Sequence, residues 1–367
     1  MKIVLAYSGG LDTSIALAWL REAYDAEVIA FCANIGQFED LSEAEERAMQ
    51  NGASKVYVED LREPFLADYA FRALRADAVY EGKYLMAASL SRPLIAERLV
   101  QIAAIEDAQA VAHGATGKGN DQVRFAAAVA ALNPRLRVIA PLMEWDLKTR
   151  PAQIRYAQEN GVSMPAFKTS PYSRDTNIWG ASVECGPLDD ISLAPPEEAY
   201  VLTASPLSAP DQPQMLSVTF EQGTPTTLDG QALGTVRLVE RLNDIGGRHG
   251  VGRIDIIENR LVGIKVRGVY ESPAATILYE AHRELDNPRA RTGPVSVQGP
   301  GVAQVRGTGV RREVVHRASG VLGRLGHARA ATSHGHGRSP PPQGHRHHGH
   351  PVINALALPP RVRLVRL

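Results

Sequence analysis

The chain holds only two cysteines, Cys32 and Cys185, and neither has a second Cys or His at metal-ligand spacing. A disulfide framework and a cysteine-based zinc site are therefore excluded. No run of about eighteen uninterrupted apolar residues is present, and the N-terminus lacks the basic segment, apolar stretch and small-residue cleavage site of a secretion signal. These absences predict a cytoplasmic protein with no membrane partner. Net charge is also lacking, since 40 Lys and Arg balance 40 Asp and Glu. The balance conceals an asymmetry: residues 288–367 carry 13 of the basic residues and one acid, Glu313. That tail has no Lys, Phe, Trp or Tyr, holds eight of the eleven His, and includes Pro340-Pro341-Pro342 and the run His345 to His350. Such a composition buries too little apolar surface to offset the entropy of ordering, so a disordered segment is expected, and a nucleic-acid partner is not. The full 367 residues, at 44% hydrophobic content, predict about two domains with a sizeable core.

What is present begins with Ala6-Tyr7-Ser8-Gly9-Gly10-Leu11-Asp12-Thr13-Ser14. It follows the apolar run Ile3 to Leu5 and precedes the amphipathic stretch Ile15 to Tyr24. Strand, glycine turn and helix in that order make a phosphate cradle. Gly9 and Gly10 allow close backbone approach, Ser8, Thr13 and Ser14 add hydroxyls, and the new helix contributes unpaired amides and its positive end.

Further short apolar runs, Val28 to Ala33, Lys55 to Val58, Ala110 to Ala112 and Leu136 to Ile139, alternate with helical patterns. The predicted fold class is α/β, a doubly wound parallel sheet. One expected helix covers Ser42 to Asn51, with Ser42 and Glu45 as a capping box, and another covers Pro93 to Glu106. Ligands in such sheets bind at the carboxyl ends of the strands, which gathers the Ser8 to Ser14 turn, Ala33 to Gln37 and His113 to Asp121 on one rim. After Lys168, Thr-, Val- and Gly-rich runs (Leu216 to Thr219, Gln231 to Val239, Gly252 to Gly268), with turns at Asp229-Gly230 and Gly246-Gly247, predict an α+β domain of antiparallel strands. Residues 273–285 return to a helical pattern that must stop or kink at Pro288.

The second dense constellation is His113-Gly114-Ala115-Thr116-Gly117-Lys118-Gly119-Asn120-Asp121-Gln122-Val123-Arg124-Phe125. Its glycines are too closely spaced for a P-loop, and Gly119 stands where Ser or Thr is needed. Taken with the Ser-Gly-Gly-x-Asp turn, this segment resembles the argininosuccinate synthase family, a branch of the ATP pyrophosphatases. Further matching stretches are Tyr84 to Pro93, Pro171 to Asp175, Ser182 to Gly186, Gly252 to Arg260 and Tyr270-Glu271, so the resemblance runs from residue 1 to about 286.

The resemblance implies an adenine nucleotide α-hydrolase-like domain over 1–168, a truncated citrulline- and aspartate-binding, oligomerising synthetase domain over 169–286, and a low-complexity tail over 287–367. It implies an AMP-forming ligase of arginine biosynthesis that condenses citrulline with aspartate through a citrullyl-adenylate, with ATP and Mg2+. ATP contacts are expected from Ala6 to Ser14, Ala33 and Gly114. Citrulline contacts fall on Tyr84, Ser89, Asn120, Arg124, Ser173, Ser182, Glu258 and Tyr270, and aspartate contacts on Thr116, Asn120 and Asp121. No nucleophilic or metal-ligating side chain is called for; Asp121 and Arg124 orient the reactants. The family's homotetramer depends on a C-terminal helix of which the tail has no trace, and a shifted reading frame after about residue 286 would account for its composition. The alternatives are an adenylating enzyme acting on tRNA and an inactive nucleotide-binding remnant.

Overall fold

A computed structural model describes residues 1–117, 119–164 and 170–286, together with the backbone of three later strands. Five parallel strands, β1 (Lys2–Ala6), β2 (Glu27–Asn34), β3 (Lys55–Asp60), β4 (Ala110–Ala112) and β5 (Arg137–Ile139), form a sheet in the order β3-β2-β1-β4-β5. Between them run α1 (Leu11–Tyr24), α2 (Leu41–Gln50), α3 (Arg62–Pro64), a π-helical turn Phe65–Ala70, α4 (Phe71–Arg75), α5 (Ala87–Ile105) and α6 (Asp121–Leu132). After β5 come α7 (Pro141–Glu144) and α8 (Arg150–Glu159). Ile3, Val4 and Leu5 of β1 are fully buried, as a central strand covered by helices on both faces requires. The order reverses between β1 and β4, so the expected rim is also the topological switch point of the sheet, the place where such folds open a crevice.

Two local expectations are corrected. Helix α2 begins at Leu41 and is capped by Asp40, whose carboxylate accepts from the Ser42 amide at 2.8 Å; the acid outcompetes the Ser42 and Glu45 capping box. Helix α5 starts at Ala87, six residues before Pro93. A proline within a helix removes the bond to the carbonyl four residues back, here that of Ser89, without ending a helix whose other side is packed in the core.

In the second half, β6 (Ser173–Asn177), β7 (Gly180–Glu184), β11 (Arg253–Asn259) and β12 (Lys265–Glu271) form an antiparallel sheet in the order β11-β12-β7-β6. A separate antiparallel ribbon holds β8 (Met215–Glu221), β9 (Thr224–Leu228) and β10 (Gln231–Ala232), turning at Asp229-Gly230, which both take positive φ. Where the composition suggested strand and turn over Gln231 to Gly247, helix α9 (Thr235–Arg248) forms. Leu238, Val239, Leu242 and Ile245 fall on one helical face and are all buried. Gly246 and Gly247 sit inside that helix because neighbours press on it: a Cβ on Gly247 would stand 2.4 Å from the Leu202 carbonyl oxygen. Helix α10 (Pro273–Asp286) packs beside it.

The tail, expected to be disordered, contributes the strand backbones β13 (Gln304–Thr308), β14 (Arg311–Val315) and β15 (Arg361–Arg366) along the open edge of β8. Edge pairing uses main-chain groups that any sequence supplies. The rest of the tail, like the expected 168/169 boundary, lies outside the described residues.

The halves share one continuous core that includes Val4, Phe31, Leu94, Trp179, Leu238 and Tyr279. Polar ties reinforce it: the Trp179 indole donates to the Leu85 carbonyl at 3.2 Å, and Asn177 donates to that of Ala87 at 2.9 Å. The β6–β7 hairpin is thereby fixed against the start of α5, which carries Ser89 and Arg92.

Candidate functional site

At the end of β1 the chain turns sharply and enters α1, with Gly9 at φ +75° and Gly10 in the cap position. Tyr7 and Ser14 point inward, their hydroxyls 2.9 Å apart in the core, so the hydroxyls left at the rim belong to Ser8 and Thr13. These two lie 3.1 Å from each other. The Gly10 amide reaches only the Ser8 hydroxyl, at 3.4 Å, and such a long contact is easily given up to an arriving anion. Asp12 lies beside the turn; burial raises its carboxyl above the ordinary range, opposed by Arg150 and Gln153.

The turn demands glycine at position 9. A Cβ there would stand 2.7 Å from that of Ala44, in a backbone region that L residues rarely adopt. Gly9→Ala is expected to destabilise the fold by about 1–3 kcal/mol and to abolish nucleotide binding. A urea melt and a nucleotide titration check this; full retention of binding would show that the turn is not the cradle.

Helix α6 and the loop before it face the turn. A Cβ on Gly114 would lie 2.7 Å from the Thr13 methyl, which is how closely the second motif approaches the first. His113, 3% exposed, stacks on Phe125 with ring centroids 4.9 Å apart and accepts the Ala115 amide on Nδ1 at 3.2 Å. Burial pushes its pKa down to about 4, so the imidazole stays neutral. Because an unfolded histidine takes up a proton near pH 6.5 and the folded one only near 4, stability is expected to fall as pH drops through that window, by up to about 3 kcal/mol. His113→Asn, whose side-chain oxygen also accepts an amide two residues on, is expected to flatten that part of a urea-midpoint against pH profile. An unchanged profile would refute the assignment.

Beyond this loop opens a polar cleft of about 180 Å³. Every residue expected to contact citrulline lines it: Tyr84, Ser89, Asn120, Arg124, Ser173, Ser182, Glu258 and Tyr270. So do Thr116 and Asp121, the other residues expected to contact aspartate. They come from the turn before α5, α5 itself, the loop before α6 and its N-terminus, β6, β7, β11 and β12, so the cleft is made jointly by both halves of the chain. Tyr84 and Tyr270 stack at 4.0 Å between centroids and form one wall. Ala6 ends β1 and Ala33 is the penultimate residue of the neighbouring β2, both partly buried against the core.

Sequence reasoning missed the charge network around these residues. Arg92, on α5, donates from Nε to Asp121 at 2.9 Å and also bonds Asp175, while Arg124 donates to Asp121 at 2.5 Å. Burial alone would raise the Asp121 carboxyl, but Arg92 and Arg124 bring it below its usual value. Asp175 is raised, by burial and by the nearby Asp121 against the pull of Arg92. On the opposite side Arg260 pairs with Glu184 and stands 3.2 Å from Glu258. Glu258 is 3% exposed, and burial raises its carboxyl despite Arg260 and Tyr270. Arg92, Asp175, Glu184 and Arg260 all lie within the matching stretches, next to residues that were singled out. The missing signal was pairing partners, which are distant in sequence and meet only in the fold.

Cationic and anionic groups thus face each other across a half-open cleft, next to a glycine turn suited to phosphates. Such a site is suited to a small charged ligand beside a phosphate group. The N-terminal HUP domain model of arginosuccinate synthase matches residues 2–163, and the C-terminal domain model of the same family matches residues 172–291. The chain belongs to the argininosuccinate synthase family. It is 56% identical over 286 residues to the argininosuccinate synthase of Rhodococcoides fascians, covering 78% of this chain and 72% of that protein. It is likewise 56% identical to the enzyme of Desulfitobacterium hafniense, with 78% and 71% covered, and 53% identical to that of Carboxydothermus hydrogenoformans, with 78% and 71% covered. Among the described residues no helix is long and apolar enough to cross a membrane.

Proposed function

We propose that the chain condenses citrulline with aspartate, consuming ATP and releasing AMP and pyrophosphate. The observation that carries this reading is the convergence of the Tyr84, Ser89, Asn120–Arg124, Ser173, Ser182, Glu258 and Tyr270 segments on one cleft, adjoining the glycine turn through the Gly114–Thr13 approach.

The ureido carbon of citrulline is a weak electrophile. Its oxygen first attacks the α-phosphorus of ATP, a P–O bond forms as pyrophosphate departs, and the carbon acquires AMP as a leaving group. The amine of aspartate then adds to that carbon, AMP departs, and the amine proton passes to a nearby carboxylate or to solvent. Amides and hydroxyls of the Ser8 to Thr13 turn hold the departing pyrophosphate. Magnesium, carried with the nucleotide, would offset phosphate charge there. Glu258 and the guanidinium of Arg260 suit the charged and ureido ends of citrulline, and Asp121 suits the amine of aspartate. With the amine held about 3–3.5 Å from the activated carbon, positioning supplies most of the rate.

The test is release of AMP and pyrophosphate by the purified chain with ATP, magnesium, citrulline and aspartate, each amino acid omitted in turn. Release is expected only with citrulline present, and argininosuccinate only with both. AMP release indifferent to citrulline would sink the reading.

A further inference from the structure

The glycine turn is held from outside by a cation that the reaction scheme does not use. Arg47, in the last turn of α2, has a side chain only 14% exposed and donates from Nη1 to the Gly9 carbonyl at 2.8 Å. Its nearest acid, Glu43, is 3.6 Å away and largely in solvent, so the ion pair neutralises little of its charge. One turn of α2 before Arg47, Ala44 packs directly beneath Gly9. The same helix therefore both seats the turn sterically and grips its main chain.

That grip has a geometric consequence. The Gly9–Gly10 peptide is planar and trans, so its C=O and N–H point in opposite directions. With the carbonyl drawn toward α2, the Gly10 amide is turned to the other side, where it meets the Ser8 hydroxyl. That is the face on which Ser8 and Thr13 present their hydroxyls. A glycine pair has little preference of its own between peptide orientations, and a flipped peptide would present a carbonyl oxygen, not an amide, to an incoming anion.

We propose that Arg47 is the positioning residue of the phosphate-binding turn: it fixes the Gly9–Gly10 peptide with its amide toward the anion and adds a largely uncompensated positive charge behind it. The inference rests on the nucleotide reading of that turn. Arg47 acts through the main chain of Gly9, so its contribution belongs to ATP and pyrophosphate and not to the two amino acids.

The experiment compares the full chain with Arg47→Ala, Arg47→Lys and Arg47→Gln. Dissociation constants for ATP with magnesium are measured by calorimetry without amino acids, alongside KM values for citrulline and aspartate and urea midpoints. Arg47→Ala is expected to weaken ATP binding roughly tenfold to a hundredfold, the range of a lost hydrogen bond to a charged group, with both amino-acid KM values within about twofold of the parent. Arg47→Lys retains the charge and Arg47→Gln retains a neutral donor, so each is expected to recover part of the loss. Unchanged ATP binding in Arg47→Ala overturns the proposal, as does a loss of affinity for all three substrates that follows the loss of stability. Absence of ATP binding by the parent chain would instead remove the nucleotide reading itself. Parent ATP binding without citrulline-dependent AMP release would leave the Arg47 proposal intact while sinking the assigned reaction.

Discussion

Asp121→Asn is expected to lower the rate of argininosuccinate formation by about a hundredfold or more, while citrulline-dependent exchange of pyrophosphate into ATP persists. The carboxylate lies in the cleft at the start of α6, held by Arg92 at 2.9 Å and Arg124 at 2.5 Å. Burial works against its ionisation and the two guanidinium groups prevail, so it is a carboxylate throughout the neutral range. Asparagine keeps the shape and one acceptor oxygen but removes the negative charge and the carboxylate that can take a proton from a reacting amine. It also leaves Asp175 as the remaining acid on Arg92, a loss felt mainly where two partly buried cations now face each other. If exchange and overall rate fell by the same factor, Asp121 would belong to adenylate formation and not to the second step. The pH dependence has a definite sign. A carboxyl whose pKa is depressed on folding stabilises the fold above its unfolded value near 3.8, and that contribution disappears as pH falls through the lower folded value. The parent is therefore expected to lose stability below about pH 4 more steeply than Asp121→Asn does.

Glu271→Ala is expected to destabilise the chain by about 3–5 kcal/mol, read as a lowered urea midpoint at constant slope. Glu271, at the end of β12, is completely buried. Its carboxylate accepts the amides of Val201 at 2.6 Å, Leu202 at 3.1 Å and Thr203 at 2.9 Å, and the Thr203 hydroxyl at 2.5 Å. Arg253 closes the arrangement by donating to the Thr203 hydroxyl at 2.7 Å and to its carbonyl at 2.8 Å. One carboxylate thus satisfies three main-chain donors that would otherwise be buried unpaired, and alanine strands them all. Tyr270, the stacking wall of the cleft, precedes Glu271 directly, so catalytic efficiency is expected to suffer in any Glu271→Ala protein that still folds. Glu271→Gln offers one acceptor oxygen where there were two and should fall between parent and alanine. A midpoint shift of less than about 1 kcal/mol in Glu271→Ala would mean that water replaces the carboxylate without difficulty.

The parts of this protein that could be read before folding are those fixed by short-range chemistry. The Ser8 to Ser14 turn, the strands at Ile3, Val28, Lys55 and Ala110, and the hairpin at Asp229-Gly230 each carry their instructions within a few residues. Cleft residues were legible because whole segments, not single residues, matched a family pattern. Helix α9 was misjudged because Gly246 and Gly247 signal a turn locally, whereas in the fold their missing side chains admit Leu202 and Pro273. The helical spacing of apolar residues over Pro93 to Glu106 predicts the later part of α5, and packing of Ala87, Leu94 and Leu99 carries the helix back across the proline. Arg92, Asp175, Glu184 and Arg260 went unassigned because a charged residue declares its role only through a partner, and Arg92 and Asp175 are 83 positions apart. The role of His113 was equally illegible in sequence, since only its burial against Phe125 makes it a neutral acceptor.

At the tip of the β11–β12 hairpin, the Leu261 amide donates to the Asn120 side-chain oxygen at 2.8 Å, while Tyr80 and Glu81 hold Asn259. Asn120 therefore offers a guest its NH2 group and the remaining lone pair of that oxygen. A guest that draws Asn120 toward itself must loosen the Leu261 bond, and one that settles against it must tighten the same bond. The deuterium-uptake rate at this main-chain amide is accordingly a built-in gauge of occupancy, readable without a dye or turnover.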